Sequence, residues 1–354
     1  MLRYSVWGVE LGSDVRLPSL RPADQDPSLD RHGPLPLLRL VQSAEPLGDP
    51  PLWLYTEMLG ETTRPWRAVG LSDRGYFVRL FGAVDFLLEG LAPAPGDDGV
   101  PRVAQDLLRS KARAGAPAIA RFFVHPEAEI GVVEPLFLEQ ALPLWLSLLG
   151  RPCLHASAVA WGEGDRAQAI AFAGRSGSGK STLATRLAAS SANGGGLVSD
   201  DCLVLEIQGD RLLAHPGHRA VRLLDDSAHA LFADPSVGDL SLDGMKRRID
   251  VRAADLPLPL TRFYTLEPGA PRARVTSLRP RDALARLATH LFRVDPEDYR
   301  RLPAELDLLD RMAARVTVKR LEVPRSYDAL DEVRAVIAED LASDERGPSS
   351  PRSR

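Results

Sequence analysis

Cysteine is nearly absent from this chain: Cys153 and Cys202 are the only two among 354 residues. That excludes a disulfide framework and points to a reducing compartment. Long apolar runs are missing as well, and none reaches the eighteen or so residues needed to span a bilayer, so no membrane is expected as a partner. No charge of one sign dominates, because 44 basic residues face 48 acidic ones for a net charge of −4. A nucleic-acid binder would show a basic excess or stripe, so no nucleic-acid partner is expected either. Residues 1–14 have mixed polarity without the core of a signal peptide, and the cytoplasm is the expected location. Lysine is scarce, with Lys111, Lys180, Lys246 and Lys319 the only four. In a chain that otherwise uses arginine, a lysine marks a place where a compact ammonium is wanted.

What is present is the composition of a globular protein, 44% hydrophobic and 26% charged, long enough for one large domain or two ordinary ones. Residues 1–150 are rich in proline and leucine at first and then in short strand patterns, at Tyr76–Phe81, Arg121–Val124 and Ile130–Val133. Apolar spacing over Glu134–Leu149 predicts a buried helix kinked at Pro143. The pattern predicts a smaller, strand-rich N-terminal domain over 1–150, an α/β domain over 151–343 and a disordered polar tail over 344–354. In the second unit, Leu154–Trp161 and Gln168–Ala173 read as strands, Lys180 to about Ser191 as a helix, and Cys202–Ile207 as a strand. Short strands follow within His215–Leu224 and Arg247–Val251, then helices over Asp282–Phe292 and Pro303–Ala314.

Between the second strand and its helix stands Gly174-Arg175-Ser176-Gly177-Ser178-Gly179-Lys180-Ser181, followed by Thr182. It fits G-x-x-x-x-G-K-[ST]. Glycines let such a loop curl until successive backbone N–H groups point at phosphate oxygens, and the helix adds its positive N-terminal end. Lys180 then reaches the β- and γ-phosphates of ATP, while the Ser181 hydroxyl joins the shell of a magnesium ion.

Three further features gather around this loop. Asp200-Asp201 follows the apolar run Leu197-Val198, where an acid at a strand end can hold magnesium and a second can take a proton from a hydroxyl; a solvated turn is the plain alternative. His155 lies inside an apolar strand, which suits a core histidine. The hairpin to the next strand nevertheless brings its end near the loop, where a neutral imidazole can orient a carboxylate. Lys246-Arg247-Arg248 follows Asp243-Gly244 and reads either as an exposed basic turn or as a flexible loop carrying cations to a transferring phosphoryl group.

The set Leu154-His155-Ala156, Gly174 to Ser181 and Ser199-Asp200-Asp201 resembles the catalytic domain of HPr kinase/phosphorylase, whose P-loop sheet is akin to that of phosphoenolpyruvate carboxykinase. The resemblance covers about residues 151–255. It is closer still to the HPr kinase-like proteins of ribosomal peptide pathways, in which a Leu-His-Ala-Ser-Ala-Val run precedes the P-loop; a Gly-Lys-Arg-Arg element is matched here with one residue inserted. The resemblance implies an ATP- and magnesium-dependent kinase acting on a serine of a peptide or small protein. It places Lys180 and Ser181 on phosphate and metal, Asp200 as general base, Asp201 on the metal, and His155 beside the acids, with the two aspartates able to trade roles. It admits a homo-oligomer and makes residues 1–150 an acceptor-recognition module. The glycine-rich signature tied to phosphorylase activity is not found after the Asp pair. A small-metabolite kinase and a nucleotide-binding switch without phosphotransfer are the competing functions.

Overall fold

The computed structural model describes residues 1–25, 37–58, 65–89, 117–190, 195–232, 238–240, 246–293 and 302–345. The turn-rich connector that the sequence predicts over Ala92–Gly99 and residues 346–354 of the expected tail lie outside them. Two large sheets carry the mixed α/β architecture. The first comprises β1 (Leu2–Val6), β2 (Val9–Ser13), β3 (Leu37–Gln42), β4 (Leu52–Met58), β5 (Pro65–Ser72), β6 (Gly75–Leu80), β7 (Val84–Glu89) and β8 (Ala118–Val124), in the order 1-2-3-8-7-6-5-4. β3 and β8 alternate as strands of a sheet with one covered face do, whereas β6 and β7 are buried at nearly every position. In β6, Tyr76, Val78 and Leu80 enter the core, while Phe77 packs edge-on against Trp53 at 5.6 Å.

A helix covers that core in three pieces, α1 (Val133–Leu136), a π-turn (Phe137–Ala141) and α2 (Leu142–Leu148). Phe137, Leu142 and Trp145 are fully buried in it. Pro143 has no N–H to offer the Glu139 carbonyl, so the helix widens where the sequence predicts a kink. The strand expected at Ile130–Val133 is instead a 3₁₀ turn over Ile130–Val132 leading into α1. Four apolar residues in a row carry no period that separates strand from helix start.

The second sheet begins with β9 (Cys153–Leu154) and β10 (Ala156–Trp161), so the single strand expected over Leu154–Trp161 is broken at His155. Then come β11 (Gln168–Ala173), α3 (Lys180–Ala188), β12 (Leu197–Ser199), β13 (Leu203–Gln208), β14 (Arg211–Ala214), β15 (Ala220–Leu224), α4 (Asp225–Leu231), β16 (Asp239–Leu240), β17 (Lys246–Asp250), β18 (Leu258–Pro268), β19 (Arg274–Ser277), α5 (Pro280–His290), α6 (Leu302–Ala313), β20 (Thr317–Val323) and α7 (Leu330–Glu345). β15, β17 and β16 form a small separate sheet, and the other strands form one of nine. β11 alternates sharply. Ile170 and Phe172 pack with Leu183 and Leu187 of α3 and Ile337 of α7. Ala169, Ala171 and Ala173 face Leu287 of α5 and Leu309 of α6. Helices therefore cover both faces, and fully burying a side chain such as Phe172 contributes about 1.5–3 kcal/mol.

Direction matters more than order. β11 runs parallel to β18, and β18 parallel to β20. β10 is antiparallel to both β11 and β12, so β12 also runs with β11. The carboxyl ends of β12, β11, β18 and β20 thus share one edge with the start of β10. The β10–β12 pairing carries a bulge: Ala158 faces Ser199 while Val159 faces Leu197, leaving Val198 as the extra residue. Among the described residues, no helix is long and apolar enough to cross a membrane.

Candidate functional site

At that shared edge β11 gives way to the glycine-rich loop. Gly177 and Gly179 take φ of 74° and 90°, left-handed values that favour glycine. A side chain on Gly174 would come within 2.6 Å of Ser178 Oγ. Gly179 caps α3, and Lys180, 6% exposed, folds back to donate to the carbonyls of Gly174 and Arg175 at 3.0 and 3.3 Å. Burial lowers the pKa of its ammonium, against the pull of Asp201 and Asp200. The rest of the motif, Ser176 to Ser181, and Thr182 line a cavity of about 810 Å³. Ser178 Oγ is buried without a hydrogen-bond partner among the described residues.

The two aspartates part company. Asp201 has φ of 60°, a left-handed conformation that aspartate tolerates better than most residues. Asp200 is 1% exposed and accepts from Ser157 Oγ at 2.6 Å, from the Arg222 N–H at 3.2 Å and from the Ser181 hydroxyl. Burial and the charge of Asp201 raise its pKa. Asp201 lines the cavity and pairs with Arg222 Nη2 at 2.5 Å. Burial pushes its carboxyl up, but Arg222, Lys246 and His155 together bring it down to about 2.

His155 occupies the break between β9 and β10, where its N–H donates to the His290 carbonyl at 2.7 Å. Its ring hydrogen-bonds the Asp201 backbone, and burial lowers its pKa, favouring the neutral imidazole. It shares the cavity with the loop, Asp201 and Lys246.

Lys246-Arg247-Arg248 requires a correction. It is neither a turn nor a loop but the start of β17, paired with Leu224, Leu223 and Arg222 of β15. Its partner strand lies more than twenty residues upstream, beyond the reach of a local pattern. Alternation puts Arg247 on the face opposite Lys246 and Arg248. Lys246 lines the cavity, Arg247 binds Asp225 at 2.6 Å, and Arg248 lies 3.5 Å from Asp250. Residues 241–245, including Asp243-Gly244, lie outside the described residues.

Three residues of the site, Arg222, Glu139 and Trp7, carry no sequence motif, and a fourth, Ser157, lies in the Leu154–Val159 run without a role marked for it. Arg222 joins Asp201 to Glu139 of the π-turn, whose Oε1 is 2.5 Å from Nη1. Burial lifts Glu139 up to about 7 despite Arg222, and the two carboxylates together hold Arg222 firmly charged against the cost of its burial. Ser157 fixes Asp200 from β10. Trp7, in the turn between β1 and β2, donates from Nε1 to Ser199 Oγ at 3.1 Å, and that hydroxyl donates to the Cys202 carbonyl at 2.5 Å. A side chain on Gly217 would meet Trp7 Nε1 at 2.5 Å, so glycine there leaves room for the indole. The first sheet thereby braces the acidic turn of the second.

No family model and no curated protein matches the sequence. Among solved structures, the HPr(Ser) kinase/phosphatase from Coxiella burnetii aligns at 13% identity with a TM-score of 0.30, covering 55% of this chain and 98% of that one. At that level the likeness is distant.

Proposed function

We propose that the protein is an ATP- and magnesium-dependent kinase that transfers the γ-phosphoryl group to a serine hydroxyl of a peptide or small protein. One observation carries the reading: a G-x-x-x-x-G-K-S loop opening a helix faces Asp201, His155, Arg222 and Lys246 across a single cavity. Backbone N–H groups of the loop and Lys180 hold the phosphates. Ser181 and Asp200 supply hard oxygen donors already in contact with each other. Magnesium takes most of its shell from phosphate and water, so it asks for few protein donors. When bound, it neutralises charge on the phosphates.

The aspartate roles trade in this reading. Burial of Asp200 and its bond to Ser181 favour it on the metal side, and exposure of Asp201 to the cavity favours it on the acceptor side. There its carboxylate accepts the hydroxyl proton as the serine oxygen bonds to the γ-phosphorus and the bond to the leaving ADP oxygen breaks. A carboxylate held near pKa 2 is a weak base, which suffices where the transition state is loose and proton transfer late. Arg222 and Lys246 meet the charge spread over the transferring group, and the His155 bond to the Asp201 backbone keeps that carboxylate aimed. The serine acceptor rests on the resemblance of the His155, loop and Asp200-Asp201 motifs to HPr kinase-like proteins.

The test is transfer of label from γ-labelled ATP, with magnesium, to serine-containing peptides. The wild type should label a serine, Lys180→Ala should not, and Asp201→Asn should bind ATP yet lose transfer. If ATP binds and no peptide or metabolite is ever labelled, the protein is a nucleotide switch and the kinase reading falls.

A further inference from the structure

The cavity has two ends of opposite character. Asp201 and His155 stand on the β12 and β10 side of the loop. On the far side, the parallel strands β18 and β20 deliver Leu266, Pro268, Val323 and Pro324, and α7 adds Val333. This end is mostly apolar, with Arg325 and Ser326 as polar residues among its lining, and it lies at the carboxyl ends of parallel strands, where open α/β sheets take their ligands. Tyr327 borders it from the turn between β20 and α7.

The hydroxyl of that tyrosine is already engaged. It donates to Asp226 Oδ2 at 2.9 Å and lies 3.0 Å from Ser227 Oγ, which accepts from Thr182 Oγ1 at 3.2 Å. Asp226 Oδ1 accepts the Ser227 N–H at 2.8 Å. A chain of hydrogen bonds thus runs from the residue after Ser181 to Tyr327. With its polar tip satisfied by protein, Tyr327 has its ring left to offer a ligand. Phosphates belong at the β11 loop and the acceptor on the Asp201 side, so the remaining moiety of the donor has the apolar end to itself.

We propose that this end seats the nucleoside of the triphosphate, with its aromatic base packed on Tyr327 and the wall formed by Pro268 and Pro324. The proposal rests on the nucleotide reading above and adds the part of the donor that the glycine-rich motif cannot address.

Calorimetric titration of the full chain with magnesium-ATP and, separately, with inorganic tripolyphosphate tests this. Wild type should bind ATP more tightly than tripolyphosphate. Tyr327→Ala should weaken ATP on the order of tenfold, the scale of one lost base–aromatic stack, and leave tripolyphosphate within about twofold. Tyr327→Phe, which keeps the ring, should retain more of the ATP affinity than the alanine variant. Unchanged tripolyphosphate binding also certifies that the variant is folded. Equal loss of both ligands, or no loss of ATP, overturns the seat while the phosphate loop stands. If wild type binds neither ligand, the nucleotide reading itself falls and takes the seat with it, whereas Lys180→Ala losing both against a binding wild type upholds the loop.

Discussion

Replacing Glu139 by glutamine should stabilise the protein in alkaline buffer and do nothing in acid. Glu139 sits on the π-turn with its side chain 22% exposed and its carboxylate against Arg222. Burial raises it from the ordinary 4.5 to about 7. The folded state therefore holds a proton that the unfolded chain releases at lower pH. The stability contributed by this group is complete below pH 4.5 and is lost as pH rises through about 7. At about 1.4 kcal/mol for each pH unit between the two values, the loss amounts to about 3 kcal/mol. Glutamine keeps the size and stays neutral, so it escapes the loss. Urea denaturation of Glu139→Gln and wild type at pH 5, 6, 7 and 8.5 gives the difference in unfolding free energy, in which groups untouched by the substitution cancel. The difference should be about 1 kcal/mol at pH 5, about 2 kcal/mol at pH 6 and about 3 kcal/mol at pH 7, with little further rise to pH 8.5. A difference flat across the series, or one that falls with pH, refutes the placement of Glu139 as a buried carboxyl working against its own ionisation.

Two other substitutions probe the scaffold of the site. Trp7→Phe removes the buried indole donor to Ser199 and should cost about 1–3 kcal/mol in urea denaturation. Because Ser199 braces the acidic turn, the same variant should lower kcat in the peptide-labelling assay while leaving the KM for ATP near that of wild type. Gly174→Ala forces a methyl group against Ser178 Oγ and should weaken ATP on the order of tenfold or more in the calorimeter, the penalty of a loop that can no longer close on phosphate.

The parts of this molecule legible in the sequence are those whose chemistry demands a fixed local spelling. The glycine-rich loop is one, because positive φ at Gly177 and Gly179 leaves little choice of residue. β11 and α5 are others, since their periods are unbroken. The convergence of His155 with Asp200-Asp201 follows from a hairpin and two strand directions, which short apolar runs allow to be traced. Arg222, Glu139 and Trp7 obey no such spelling, and Ser157 stands in a marked run with nothing to show its bond to Asp200. Each is an ordinary residue made significant by a partner far away in the chain: Trp7 reaches Ser199 across 192 positions. β17 is legible in part: the pattern over Arg247–Val251 marks a strand, but the basic triplet at its start reads as a turn or loop until β15 pairs with it. The aspartate pair was visible, yet the difference between its members was not, because burial is set by tertiary packing and not by neighbours.

That difference depends on counting. The upstream end of β12 is pinned where Leu197 exchanges hydrogen bonds with Arg252 and Ala254, at 2.8 Å each way. The downstream end is pinned by Ser157 holding Asp200 and Trp7 holding Ser199. Val198 is the spacer between the two anchors, one residue more than a regular ladder needs. Remove it and the chain must surrender one anchor or draw its acids back by a position, Asp201 into the closed pocket of Asp200 and Cys202 into the open. Two identical letters do different work here only because a valine beside them takes up the slack.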